Sequence, residues 1–147
     1  MGGGGSKYKM VSSLGSSKGG SAALYFGLKH RFSEIYAGAC QFKVGNYIGI
    51  FHKDDNYYPK LMGNIPLEEG IVILNNKFEK MVKSRANCAT EINLLYSTQE
   101  HTYEDDIIHL LKMLNKFNIS HNDQIESFPS HSMIGLYMSR FCKDHFK

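Results

Sequence analysis

A change in the spacing of apolar residues near position 75 constrains the fold more than any other feature of the chain. Before this point, residues 22–74 carry short apolar runs bounded by Gly, Pro and Asn, a pattern typical of strands. After it, Phe78, Met81 and Val82 stand at helical spacing. Strands that come first and helices that follow predict an α+β fold, in which an antiparallel sheet packs against helices.

The predicted strands and helices can be placed from these runs. We expect strands at residues 23–28, 35–44, 47–51 and 71–74. The pair Gly45-Asn46 predicts a tight turn that joins the second and third of these strands into a hairpin. Helices are expected to begin at Cys88, at Thr102 and at Ser132, the last one ending near Phe141.

Length and composition predict one folded domain. The chain has 147 residues, of which 42% are hydrophobic, enough for a substantial core. Residues 1–6 read as an added linker and residues 7–21, rich in Ser, Gly and Lys, as a flexible arm, so the domain is expected to span residues 22–147. Three scattered cysteines indicate a reducing compartment, and no apolar run is long enough to span a membrane.

Charge and motifs restrict the ligands only weakly. The net charge of +3 permits contact with nucleic acid without requiring it. Basic residues mix with Tyr137, Phe141 and Phe146 near the C-terminus, and such mixtures can bind single-stranded nucleic acid. The sequence contains neither a CxxC nor an HExxH motif. We therefore expect no metal and no cofactor.

Cys88 is the first candidate for a catalytic residue. It follows Asn87 at the predicted start of a helix that continues through Ile92 and Leu95. A helix N-terminus favours the thiolate form of a cysteine, which is the nucleophilic form. The alternative is that Cys88 is a small buried residue without chemistry.

A lone nucleophilic cysteine needs a histidine base from elsewhere in the fold. His30 is the candidate, because its cationic neighbours Lys29 and Arg31 favour the neutral ring that a base requires. The alternative is a surface histidine at a strand end. A third group would orient the base, and the sequence leaves Gln41 and His52 open for that role.

The segment Lys29-His30-Arg31, followed several dozen residues later by Asn87-Cys88, resembles a known arrangement. It is similar to the H-box/NC motif shared by lecithin:retinol acyltransferase-like (LRAT) proteins, phospholipase A/acyltransferase (PLAAT) proteins and picornaviral 2A proteins of the parechovirus type. The resemblance spans about residues 22 to 100. It implies a permuted papain-like fold, with Cys88 as nucleophile and His30 as base. Arg31 and Ala89-Thr90-Glu91 depart from the cellular enzymes, which carry other residues directly after the His and the Cys.

The resemblance implies a viral non-structural 2A-type protein as the main functional expectation. Such a protein would act in viral RNA replication in the host cytoplasm, through viral RNA and host proteins as partners and without protease activity. The alternative is a thiol-dependent phospholipase or acyltransferase that uses Cys88 and His30 on membrane lipid. A third hypothesis is an adaptor that binds host proteins through its C-terminal helices. Whether the chain is an enzyme is left open.

Overall fold

The computed structural model describes residues 10–146. The linker expected at residues 1–6 lies outside these described residues. The strands and α-helices are, in chain order, β1 (Ser12–Ser16), α1 (Lys18–Lys29), β2 (Glu34–Gly38), α2 (Val44–Asn46), α3 (Tyr57–Met62), α4 (Leu67–Ser84), β3 (Glu91–Ser97), α5 (Ile108–Lys116), β4 (His121–Glu126) and α6 (Ile134–His145). Short helical turns lie at Tyr47–Phe51, Lys53–Asp55, Tyr103–Ile107 and His131–Met133.

The four strands form one sheet in the order β1-β2-β3-β4, and every neighbouring pair is parallel. The expectation of an antiparallel sheet in an α+β, papain-like fold is therefore wrong. Parallel neighbours need a crossover, usually helical, between them, and the chain supplies α1, α4 and α5 in turn. The fold is α/β, and the carboxyl ends of all four strands meet at one edge of the sheet.

Two apolar layers cover the sheet, because successive residues of a strand point to opposite faces. Leu94 of β3 belongs to the larger cluster, which includes residues of α1, α4 and α5. The next residue, Leu95, belongs to the second cluster, to which α6 contributes Ile134, Met138 and Phe141. β3 is buried on both faces along almost its whole length, so it is the centre of the core.

Several predicted elements are corrected by the structure. The runs at 23–28 and 71–74 are parts of α1 and α4, and the expected hairpin is absent because residues 47–51 are helical. Gly45 instead lets α2 approach α4, since a Cβ there would collide with the carbonyl oxygen of Ile71. The segment after Cys88, predicted to be a helix, is β3. The helices predicted around Phe78, after Thr102 and after Ser132 are confirmed.

The N-terminal segment contributes to the sheet over its described part. Residues 7–21 were expected to be a flexible arm, but they include β1 and the start of α1. None of the helices within residues 10–146 is both long and apolar enough to cross a membrane.

Candidate active site

The connection from β1 to α1 places a serine in an unusual backbone conformation. Ser17 has φ 53° and ψ −124°, a region that residues with a side chain rarely adopt. The turn is tight, because a Cβ on Gly15 would collide with the carbonyl oxygen of Gly19. Its sequence, Gly15 to Gly19, fits the pattern G-x-S-x-G. On a strand-to-helix turn that pattern lifts a serine hydroxyl above the carboxyl edge of a sheet.

His131 contacts this hydroxyl. Its Nε2 atom lies 2.8 Å from the Ser17 Oγ, although the two residues are 114 positions apart in the chain. The loop that carries His131 follows β4, and Ser97 at the end of β3 holds it in place. The Ser97 hydroxyl donates to the Phe128 carbonyl (2.7 Å) and accepts from the Phe128 N–H (3.1 Å). The ends of β3 and β4 thus fix the imidazole over Ser17.

Glu100 stands behind the imidazole. Its Oε2 atom is 3.3 Å from His131 Nδ1, a buried nitrogen that has no other partner among the described residues. The pair is not aligned as a hydrogen bond, and such catalytic contacts are often long without substrate. The Thr102 N–H donates to the same Glu100 oxygen at 3.1 Å, and the Thr102 hydroxyl donates to the other oxygen.

The Glu100 carboxylate is held in its charged form. Burial raises its pKa, but the facing His131 ring and the two donors of Thr102 outweigh burial and bring the pKa below its ordinary value. A buried carboxylate that stays ionised beside an imidazole fixes the ring orientation and stabilises the imidazolium when it forms. Ser17, His131 and Glu100 therefore lie in the order expected of a nucleophile, a base and an acid that orients the base.

Gln41 is the fourth polar group at the site. It is buried, and its Nε2 donates to Ser17 Oγ at 3.3 Å. Ser21, one turn further along α1, fixes the Gln41 segment by accepting from the Gln41 N–H (2.9 Å) and donating to the Gln41 carbonyl (2.8 Å). One of the two third-group candidates from the sequence thus lies in a site, next to a serine that the sequence analysis did not consider.

The residues predicted to be catalytic lie elsewhere. Cys88 is half-buried in a turn before β3, and its N–H donates to the Arg85 carbonyl. This turn leads into β3 and is not the helix start that the sequence predicted. His30 is exposed after the end of α1, where its ring stacks on Phe26. No hydrogen bond joins Cys88 to His30 in the part of the chain that the structure describes, and their catalytic role stays a prediction.

His52, the other third-group candidate, pairs with Asp55 through a contact of 2.6 Å in an exposed turn.

One group of residues among 10–146 has the side chains and spacing that could bind a metal ion. Glu100, His101 and His131 bring one ligand atom each within 4.8 Å of one another. Two of these residues belong to the Ser17 site, so a metal ion bound there would occupy the base.

Known structures share the architecture. No protein-family model matches the chain, and no curated protein matches its sequence. The capsule O-acetyltransferase of Neisseria meningitidis serogroup A superposes with a TM-score of 0.76 at 20% identity, over 90% of this chain and 53% of that one. The fluorophosphonate-binding serine hydrolase F of Staphylococcus aureus superposes with a TM-score of 0.64 at 16% identity, over 89% and 51%.

A third structure, the S-formylglutathione hydrolase of Staphylococcus aureus, has a TM-score of 0.59 at 14% identity, over 89% of this chain and 51% of that one. The chain spans about half the length of these structures. At such identities the likeness shows the fold alone, which is α/β-hydrolase-like. The chain order Ser17, Glu100, His131 is the order of the triad residues in that fold.

These findings overturn the family resemblance. The similar structures named above are a bacterial acetyltransferase and bacterial hydrolases, not picornaviral 2A, LRAT or PLAAT proteins. The viral function in RNA replication, which was expected from that resemblance, is therefore also wrong. The acyltransferase alternative agrees better with these structures in its class of reaction. RNA, host proteins and membrane lipid as partners, and a cytoplasmic location, stay predictions.

Proposed function

We propose that this chain carries the active site of a serine-dependent acyltransferase or esterase. The observation that supports the proposal most strongly is the contact of 2.8 Å between the strained Ser17 and His131, with the buried Glu100 behind the ring. The substrates would be carboxylic esters or thioesters. A mutant of the Neisseria acetyltransferase was solved in complex with CoA, so acyl thioesters of CoA are included among the proposed donors.

In the first step, Ser17 Oγ attacks the carbonyl carbon of the donor while His131 Nε2 takes the hydroxyl proton. The bond from the carbonyl carbon to the leaving oxygen or sulfur breaks, and His131 returns the proton to that atom. In the second step, water or an acceptor hydroxyl gives its proton to His131 and attacks the acyl-serine ester. The bond between the acyl carbon and Ser17 Oγ then breaks, and His131 returns the proton to Ser17 Oγ. Water yields a free acid, and an alcohol yields a new ester.

The developing oxyanion needs preorganised donors. Lys18 follows the nucleophile at the first position of α1, where a helix leaves its N–H groups without intrahelical partners. In the α/β-hydrolase turn this is the amide that binds the oxyanion. Gln41 Nε2, already within 3.3 Å of Ser17 Oγ, is the second donor that we propose.

Hydrolysis of p-nitrophenyl acetate by the purified chain tests the proposal. Ser17→Ala removes the nucleophile, and we expect kcat/KM to fall by about 10³-fold or more. Ser16→Ala is the matched control, since among the described residues the hydrogen bond to the His131 ring comes from Ser17 and not from its neighbour Ser16, and its rate should stay near the original. Equal rates for Ser17→Ala and the unaltered chain would exclude Ser17 as the nucleophile.

A further inference from the structure

An open groove runs along α1 on the side that faces α3 and α4. Its volume is about 580 Å³. Three large apolar side chains remain exposed at its rim: Phe26 (49% exposed), Leu61 (56%) and Ile73 (44%). Exposed apolar side chains that lie side by side in this way are typical of binding sites.

The groove adjoins the Ser17 site. A smaller cavity of about 280 Å³ is lined by Lys18 and Gln41, the two neighbours of Ser17 from which we expect the oxyanion donors. Ser21 and Val44 line both this cavity and the groove. The cavity and the groove are therefore neighbours, and the shortest path from Ser17 to the groove runs past Ser21.

The lining selects an apolar and slender occupant. Among the described residues of the groove, Lys77 is the only one with a charge, and the other side chains are apolar except for the hydroxyls of Ser21 and Tyr25. A sugar or a nucleotide would lose hydrogen bonds to water and gain few in return. From Lys18 to Phe26, α1 rises by about 12 Å, which sets the length of the path.

We infer that the groove binds the acyl chain of the substrate, so that the enzyme prefers unbranched acyl groups of medium length over acetyl. This inference rests on the proposed function at Ser17. Each methylene that leaves water for the groove raises kcat/KM about fourfold, until the chain reaches the Phe26 end.

A series of p-nitrophenyl acetate, butyrate and octanoate measures this preference directly. We expect kcat/KM to rise through the series. Ala22→Trp places a bulky ring in the groove from an exposed position of α1, so the core is not disturbed. We expect this variant to lose at least about tenfold on octanoate and to keep its rate on acetate.

Ala86→Trp is the matched control, because Ala86 is exposed in the turn after α4 and does not line the groove. It should behave as the unaltered chain on all three esters. A flat chain-length profile, or an Ala22→Trp variant with an unchanged ratio of octanoate to acetate, overturns the inference and means that something other than an acyl chain covers the groove.

A binding measurement separates this inference from the proposed function. Ser17→Ala cannot be acylated, but its groove is intact, so it should bind octanoate in isothermal titration calorimetry and bind acetate far more weakly. Adding Ala22→Trp should abolish the binding of octanoate. If no ester is hydrolysed but octanoate binds in this way, the proposed function fails and the acyl groove stands. If esters are hydrolysed but octanoate does not bind, the groove inference fails alone.

Discussion

Ser17 shows at the scale of a single residue how this site is built. Its backbone conformation costs of the order of 1–3 kcal/mol, and such strain persists where the surroundings fix it. Here the Ser17 N–H donates to the Gly38 carbonyl at 2.8 Å, which ties the turn to the end of β2. The strained backbone directs the Ser17 hydroxyl towards His131. The contact between these two side chains, on which the proposed chemistry depends, therefore requires this conformation.

The negative charge of Glu100 should be needed for catalysis. Glu100→Gln keeps the size of the side chain but removes the negative charge that stabilises the imidazolium, and we expect kcat to fall by about 10³- to 10⁴-fold. Steady-state kinetics on an acetyl ester measures the effect. The urea midpoint, followed by circular dichroism, serves as the control for folding. A kcat within threefold of the unaltered chain contradicts the role of Glu100.

The lowered pKa of Glu100 gives the sign of its pH dependence. A carboxyl whose pKa is lower in the folded state stabilises that state above its unfolded pKa, near 4.3. This stability is lost as the pH falls through the folded pKa. The difference in unfolding free energy between the unaltered chain and Glu100→Gln should therefore shrink as the pH falls from about 4.3 through the folded pKa.

The site was only partly accessible from sequence. The G-x-S-x-G pattern from Gly15 to Gly19 can be found in the sequence. It indicates a nucleophilic serine only where a strand precedes it and a helix follows it. Both elements were difficult to predict, because β1 is short, half-exposed and made mostly of serine and glycine, residues that are also typical of a flexible arm. Glu100 and His131 belong to no local motif, and only the parallel sheet brings them to Ser17.

At the scale of elements, Asp106 joins the turn before α5 to the segment that carries Gln41. The side chain is buried, and its Oδ1 accepts from the N–H groups of Phe42 (2.7 Å) and Lys43 (2.8 Å). Burial raises the pKa of Asp106, although these two hydrogen bonds act in the opposite direction. Asp106 therefore holds the chain directly after Gln41 through geometry that does not require a charge.

Two substitutions separate geometry from charge at Asp106. Asp106→Asn keeps an oxygen acceptor for both N–H groups, so its unfolding free energy at pH 7 should be close to that of the unaltered chain. Asp106→Ala leaves two buried donors unsatisfied and should lose roughly 2 to 4 kcal/mol. Urea unfolding measures both values, and equal losses in the two variants would contradict the hydrogen-bond account.

The pH dependence at Asp106 has the opposite sign to that at Glu100. A carboxyl with a raised folded pKa binds its proton more tightly in the folded state, so stability falls as the pH rises from about 3.9, the unfolded value, through the folded pKa. Asp106→Asn lacks this group. Its unfolding free energy should fall less than that of the unaltered chain over the same pH window.

One physical cause explains why β3 is predicted to be a helix and part of α1 a strand. β3 is buried on both faces, so Ile92 to Tyr96 show no alternation of apolar and polar residues and can be read as a helix. Conversely, the short apolar run at 23–28 in α1 was read as a strand, because periodicity alone cannot distinguish such a run. α5 and α6 were predicted correctly, since each has one buried stripe and one exposed face.

The two apolar clusters lie on opposite faces of the sheet, and β3 contributes residues to both of them. Leu94 and Leu95 are neighbours in the chain and both are fully buried, but they belong to different clusters. Because both clusters share the residues of β3, we expect them to unfold in one transition.

We expect Leu94→Ala and Leu95→Ala each to lower the unfolding free energy by about 3 kcal/mol in that same transition. Urea unfolding followed by circular dichroism and by tyrosine fluorescence measures the effect. A second transition that appears in only one of the two variants would show that the layers fold independently.

Covalent labelling with a fluorophosphonate, followed by peptide mass spectrometry, tests the central claim most directly. Such a reagent phosphonylates a serine that an adjacent base activates. We predict one adduct, on Ser17, with labelling strongly slowed in His131→Ala and no adduct on Ser16. A folded protein that stays unlabelled, or that carries its adduct on another residue, would contradict the assignment of Ser17 as the nucleophile.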